Sequence, residues 1–112
     1  MPGQDGTITK KVKVFLASQL RTNRVLPAFA VTCKKLHITT HKAQRRLSEE
    51  GSSYQNIKDT VRFEIIKEML DNPDYSINQV SERSGFTEVA SFARAVKKST
   101  GMTPAQYRKS VS

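Results

Sequence analysis

Three observations predict an all-α fold of about seven helices, in which a long connector helix joins two helix-turn-helix subdomains. Ser76 to Lys109 is punctuated by caps and stops into three short helices, and Ser53 to Asp71 carries a broad apolar face with no Gly or Pro. The segment before that connector repeats, with little identity, the pattern of the segment after it. The 112 residues allow one domain, or two very small ones sharing a core.

Met1 to Gly6, with Pro2, Gly3 and Gly6, reads as a disordered lead-in or an expression remnant, so residues 1–7 are set apart. The first module spans residues 8–52. Ile8, Val12, Phe15, Leu16 and Leu20 mark one face of a supporting helix. Apolar residues return at Leu26, Phe29, Ala30, Cys33 and Leu36, which predicts a short helix over 26–35 and a turn over 36–39. Thr40 to Glu50 follows as a helix with Ala43 and Leu47 inward and His41, Gln44 and Arg45 outward, ended by Gly51.

The connector, residues 53–72, carries Ile57, Val61, Ile65, Ile66, Met69 and Leu70 inward. A helix of about 19 residues would be roughly 28 Å long, close to the ~34 Å turn of B-DNA.

The second module spans residues 73–112. Ser76 with Gln79 has the capping-box form, so a helix should start at Ile77, carry Ile77 and Val80 on its apolar face with small Ser81 toward a neighbouring helix, and stop before Gly85. Phe86 plugs the core. Thr87 is a natural N-cap for the next helix, whose inward residues are Val89, Phe92 and Val96; Glu88, Ser91, Arg94, Lys97 and Lys98 lie on the other face. Gly101 ends that helix, and Thr103, Pro104 and Gln106 start the last one with a cap, a proline at the first helical position and a second capping box.

The formal net charge is +9, and it is unevenly distributed. Residues 1–48 hold ten Lys and Arg against Asp5 alone, whereas residues 49–112 hold nine of each sign. A basic half beside a neutral half suits a polyanion, because phosphate neutralisation supplies salt-dependent affinity; a basic surface kept for solubility is the plainer alternative. One cysteine, Cys33, excludes an internal disulfide and fits a reducing cytoplasm. No apolar run approaches the length needed to cross a bilayer, and no signal peptide is visible, so a cytoplasmic location and no membrane partner are expected.

Two short helices around a glycine turn, the second polar and basic outside, form the arrangement that places a recognition helix in a DNA major groove. Residues 77–108, IxxVxxxxGFxxxxxFxRAxKxxxGMTPxxYR, resemble the carboxy-terminal signature of AraC/XylS-type transcriptional regulators. The likeness covers about residues 8–109: TTHKAQRRLSEEGSSYQ, from Thr39 to Gln55, is similar to the first recognition helix of the branch whose members carry a long amino-terminal sensing domain, and Arg62 matches a family position on the connector. There are departures. His37 stands where the family often has Gly, which implies a strained or reshaped turn; Ile66 and Ser81 each replace an Ala, and Val96 replaces a Phe.

The resemblance implies sequence-specific binding of double-stranded DNA, transcription regulation, and contact with RNA polymerase. By position and outward direction, His41, Gln44 and Arg45 are candidates for base edges on the first recognition helix, with Lys42 and Arg46 for phosphates. On the second, Glu88, Ala90, Ser91 and Arg94 occupy the family's groove-facing positions, with Lys97 and Lys98 as phosphate candidates. Only Arg94 among those four has the chemistry for a strong contact, so this half is expected to bind through backbone contacts and DNA shape. The branch likeness implies that a sensing and dimerising domain is absent from this chain; a free-standing small monomeric activator, or a basic helical protein-interaction module, are the alternatives.

No cofactor, metal or catalytic site is expected. Cys33, His37 and His41 recur at intervals of four, but the turn over 36–39 breaks their alignment and Cys33 suits a small buried position. No acid orients a His beside a nucleophile in the pattern catalysis requires, so an enzyme is not expected. Tyr54, Tyr75 and Tyr107 lie at helix ends, where packing with a hydroxyl kept in water is the expected role.

Overall fold

A computed structural model describes residues 7–111 and contains seven helices among them, with no strand. They are α1 (Ile8–Asn23), α2 (Phe29–Lys35), α3 (Thr40–Glu49), α4 (Tyr54–Leu70), α5 (Ile77–Arg83), α6 (Val89–Thr100) and α7 (Pro104–Val111). The lead-in expected over 1–7 lies outside the described residues except for Thr7, whose side chain accepts from the Lys10 amide and caps α1.

α4 runs for 17 residues, about 26 Å, with Ser53 as its N-cap, accepting from the Asn56 amide. It is the spine. Its buried Ile57, Val61, Ile65, Ile66, Met69 and Leu70 share one hydrophobic cluster with Leu16 and Leu20 of α1, Leu47 of α3, Val80 of α5, and Phe92 and Val96 of α6. Both modules therefore draw on a single core. Lys13–Glu64 (3.2 Å) and Arg21–Glu68 (2.7 Å) fasten α1 along α4. These pairs are half-exposed and contribute at most about 1 kcal/mol each. The far end of α4 is closed by Arg108 of α7, whose Nε donates to Leu70 O at 2.9 Å and whose terminal nitrogen donates to Met69 O and Asn72 O, each at 3.3 Å. A cation on the orphan carbonyls of a helix C-terminus satisfies them and opposes the negative end of the dipole.

Several sequence expectations need correction. The first short helix starts at Phe29 rather than 26: Leu26 precedes a proline, which disfavours helical backbone, and Pro27 O accepts from the Tyr54 hydroxyl at 2.6 Å. With that later start, Thr32 and Cys33 are the buried residues of α2, while Ala30 faces water. The Tyr54 hydroxyl is not kept in water, since it also meets the Thr32 hydroxyl at 2.7 Å. Burial pushes the Tyr54 phenol and the Cys33 thiol above their ordinary values, the Thr32 bond partly opposing the former. Thr87 is not the cap of α6. The first ladder bond runs from Phe92 N to Glu88 O, so Glu88 is the cap, and its side chain bonds no backbone amide. Val89 then sits in the first turn, 42% exposed rather than inward, because Phe86, edge-on to Phe92 at 5.7 Å between centroids, packs into the core at that end.

Both expected capping boxes form, at Ser76/Gln79 and at Thr103/Gln106. Gly85 needs its freedom: its φ is +90° and an added Cβ would lie 3.2 Å from Arg24 O.

Candidate nucleic-acid interface

Two helices present polar faces over this shared core, and each is held from beneath by two buried apolar residues one turn apart. In α3 these are Ala43 and Leu47; in α6 they are Phe92 and Val96. Thr39 accepts from the Lys42 amide at 3.2 Å and so fixes where α3 begins. With the inward face defined, the helical period points His41, Gln44 and Arg45 outward, and all three are exposed. They line one shallow outward depression together with Ser48 and Glu49. An imidazole, an amide and a guanidinium are the groups that read base edges, the last two as bidentate partners of adenine and guanine. Lys42 and Arg46 are exposed on the flank of the same helix. There they line a second, smaller recess with Lys11 of α1 and His37 of the turn.

On α6 the candidates are less concentrated. Ala90 and Arg94 are exposed and Ser91 is half-buried. Arg94 donates from a terminal nitrogen to the Ser91 hydroxyl at 3.2 Å, which steadies the side chain and leaves most of its five N–H donors available. Glu88 stands at the helix start as cap, not on the helical face, and Lys97 and Lys98 are exposed in the last turn. Lys98 lies over a cleft of about 420 Å³ between α4 and α6 that also receives Arg62 and Asp59.

The turns that set these helices differ. The α5–α6 turn uses Gly85, whereas the α2–α3 turn uses His37 at φ +58°, in the left-handed region. A side chain in that region costs about 1–2 kcal/mol. The strain expected from the sequence is therefore present, and it is accommodated without reshaping: Ile38 N donates to Cys33 O at 3.0 Å, closing α2 as Phe86 N closes α5 on Ser81 O at 3.2 Å.

Three contacts that hold the interface were not assigned from sequence. Glu50, directly after α3, accepts from Ile8 N (3.2 Å) and Thr9 N (2.9 Å), and also from the Thr9 hydroxyl, so it ties the end of α3 to the start of α1. Burial alone would raise its carboxyl, but the bonds from Thr9 and Ile8, with Arg46 nearby, outweigh that and hold it below the ordinary glutamate value. Arg62 lies over the Phe86 ring at 5.0 Å. Burial lowers its pKa against the opposing pull of Asp59, and its buried Nε has no hydrogen-bond partner. Arg24 ends α1 in a left-handed conformation and pairs with Glu82 of α5 at 3.0 Å. No local pattern announces any of these pairings, which join residues far apart in the chain; Arg62 alone carried a signal, as a family position without an assigned role.

Among the described residues no helix is long and apolar enough to cross a membrane, and no cluster of His, Cys, Asp or Glu could hold a metal ion.

Comparison with known proteins bears on the fold and the family. A family model described as a helix-turn-helix domain matches residues 32–110. The HTH-type transcriptional regulator VqsM of Pseudomonas aeruginosa is 30% identical over 105 residues, which cover 94% of this chain and 31% of that protein. The chain spans 25–31% of the length of the first four curated relatives it matches. Among solved structures, a DNA-binding transcriptional dual regulator of Escherichia coli K-12 superposes with a TM-score of 0.85 at 19% identity, covering 94% of this chain and 92% of that one. The DNA-binding domain of AdpA, solved in complex with a target DNA, gives 0.73 at 22% identity, covering 93% and 92%. At these identities the two likenesses establish the fold. With the sequence matches beside them, the chain belongs to the AraC/XylS-type helix-turn-helix domains found in HTH-type transcriptional regulators.

Proposed function

We propose that α3 and α6 enter two successive major grooves of one duplex, and that α3 does most of the sequence reading. In this reading His41, Gln44 and Arg45 contact base edges, and Lys42 and Arg46 contact phosphates. On the second half Arg94 contributes the one strong polar contact, Ala90 and Ser91 offer close approach, Lys97 and Lys98 hold phosphates, and Glu88 faces at most a cytosine amino group. The observation that carries this is the gathering of His41, Gln44 and Arg45 in one exposed depression on a helix anchored by Ala43 and Leu47. The molecule's 42 Å long axis exceeds the ~34 Å turn of B-DNA, which supports two contacts on one side of the duplex by a single copy.

The same reading makes this chain the DNA-binding part of a longer regulator, whose remainder senses a signal and dimerises, and which acts on RNA polymerase. What supports it is the short share of each relative that the chain spans. The mass of the protein isolated from its source checks that part.

The DNA reading is tested by selecting from a pool of random duplexes at moderate salt and sequencing what stays bound. Enrichment of two blocks about one helical turn apart, the block under α3 being the sharper, is the expected result. Binding that falls steeply with salt and enriches nothing overturns it, because phosphate affinity alone behaves that way.

A further inference from the structure

One flank of α3 carries a recess of about 190 Å³ that the base-reading residues do not use. Lys42 and Arg46, one helical turn apart on α3, line it together with Lys11 of α1, His37 of the turn, and the apolar Ile8, Leu36 and Ile38. Among the described residues no carboxylate is within ion-pairing distance of Lys11, Lys42 or Arg46. Glu50, which attracts Arg46, has both oxygens engaged by Ile8 and Thr9. Three permanent cations around one small polar hollow repel each other, and the arrangement is relieved by an anion with several oxygens. One of its lining residues, His37 at φ +58°, is one of the two non-glycine residues of the module in the left-handed region, the other being Arg24 at the end of α1, and backbone strain of this kind tends to sit at binding sites.

We propose that this recess seats a single phosphodiester of the DNA backbone beside the first groove, held by Lys11, Lys42 and Arg46 with the His37 ring at the lip. The inference rests on the DNA reading above. Lys42 and Arg46 each follow a base-reading candidate, His41 and Arg45, by one position, so inserting α3 into a groove brings the backbone of one strand to this flank. A free anion would satisfy the same charges, but only a duplex carries the anion there in register with α3. The supporting helix α1 thereby becomes part of the interface. Its contact fixes where α3 sits along the groove without carrying sequence information of its own.

The test measures binding of a duplex of about 30 base pairs by fluorescence anisotropy between roughly 50 and 200 mM salt, where the slope of log affinity against log salt counts phosphates at about 0.9 each. Lys11→Gln, at an exposed position on α1, should weaken all sequences by a similar factor, leave base preference unchanged and flatten the slope by a fraction of one. The triple variant Lys11→Gln/Lys42→Gln/Arg46→Gln should flatten it by about 0.9, the value for one shared phosphate, rather than the ~2.7 of three separate ones. A second readout replaces single phosphates by neutral methylphosphonates. The wild type should lose affinity at one position flanking the first block, Lys11→Gln should sense that position less, and the triple variant should no longer sense it. An unchanged slope with Lys11→Gln, a loss near ~2.7 in the triple variant, or a methylphosphonate effect at that position that is undiminished in Lys11→Gln or persists in the triple variant overturns the shared seat. If the wild type binds no duplex at all, the DNA reading itself is wrong, and the two failures are told apart.

Discussion

The two modules share a core but divide the work differently. The second is built for a secure fold: its turn has a glycine where φ is +90°, its helices α5 and α7 begin with complete capping boxes, and Phe86 is held between the Phe92 ring and the Arg62 guanidinium. The first carries a residue with a side chain in a left-handed turn and gathers exposed cations that repel one another, while each module has one helix, α2 and α6, that begins without a side-chain cap. On the proposed reading, the cations and the strained turn lie in the module that meets most of the DNA, and the core along α4 joins it to the other.

The sharpest way to break that comparison is in the core of the second module. Phe92→Ala removes a fully buried ring that meets Phe86 edge-on, and should cost about 3–5 kcal/mol. Because one hydrophobic cluster serves both modules, chemical denaturation should show one cooperative transition at lower denaturant, with DNA binding lost at the same point. Two separate transitions would mean that the modules are independent and the shared-core argument is wrong.

The next largest effect concerns reading. Arg45→Ala should cost about 1–3 kcal/mol of discrimination between the preferred duplex and one altered under α3. Arg94→Ala, whose guanidinium is already bonded to Ser91, should weaken both duplexes with little change in their ratio. Competition titrations with the two duplexes decide this, and equal losses of specificity would show that the halves read alike.

How much of this was legible in the sequence follows from how local each signal is. Caps and stops act within four residues, so Ser76, Gly85, Gly101 and Thr103 could be placed from the chain alone. The inward stripe of α4 was equally visible, because its period is that of the helix itself. What was misplaced depended on distant partners. Pro27 bonding to Tyr54 delays α2, and Phe86 packing against Phe92 leaves Val89 outside and moves the cap of α6 to Glu88. The exposure of His41, Gln44 and Arg45 and their place on one side of α3 were readable from period, but the arrival of Lys11 beside Lys42 and Arg46 needed the tertiary fold. Arg108 on the last carbonyls of α4 is the clearest such case, joining residues 38 positions apart in its shortest bond.

A smaller change, of opposite sign, sharpens the contrast. His37→Gly places at φ +58° the one residue that adopts it without strain, and should stabilise the fold by about 1 kcal/mol. The same substitution removes the ring from the lip of the cationic recess and should weaken duplex binding. Thermal melting and anisotropy on the same variant read the two effects. A gain in stability with unchanged affinity would leave the strain without a function, and a loss of stability would mean that the ring packs more than its exposure indicates.

The smallest effect is acid sensitivity, and it belongs to the first module's support. Glu50 at the start of α1 lies below the ordinary glutamate value because its hydrogen bonds from Thr9 and Ile8 outweigh burial, which acts the other way. Glu68 lies low because Arg21 bonds it, again against burial. A carboxyl depressed in the folded chain binds fewer protons there than when unfolded, so its contribution is complete above the unfolded value of about 4.3 and is lost as pH falls through the lower folded value. The melting temperature should therefore be flat from neutrality to about pH 5 and decline below about 4.3, with α1 amides losing hydrogen-exchange protection first. In Glu50→Gln the deficit relative to wild type should shrink as pH drops through that window, because the wild type then loses the charge that the variant already lacks. A deficit independent of pH would assign the clasp to packing and neutral hydrogen bonding, and α1 would be held to α3 by shape rather than by the carboxylate.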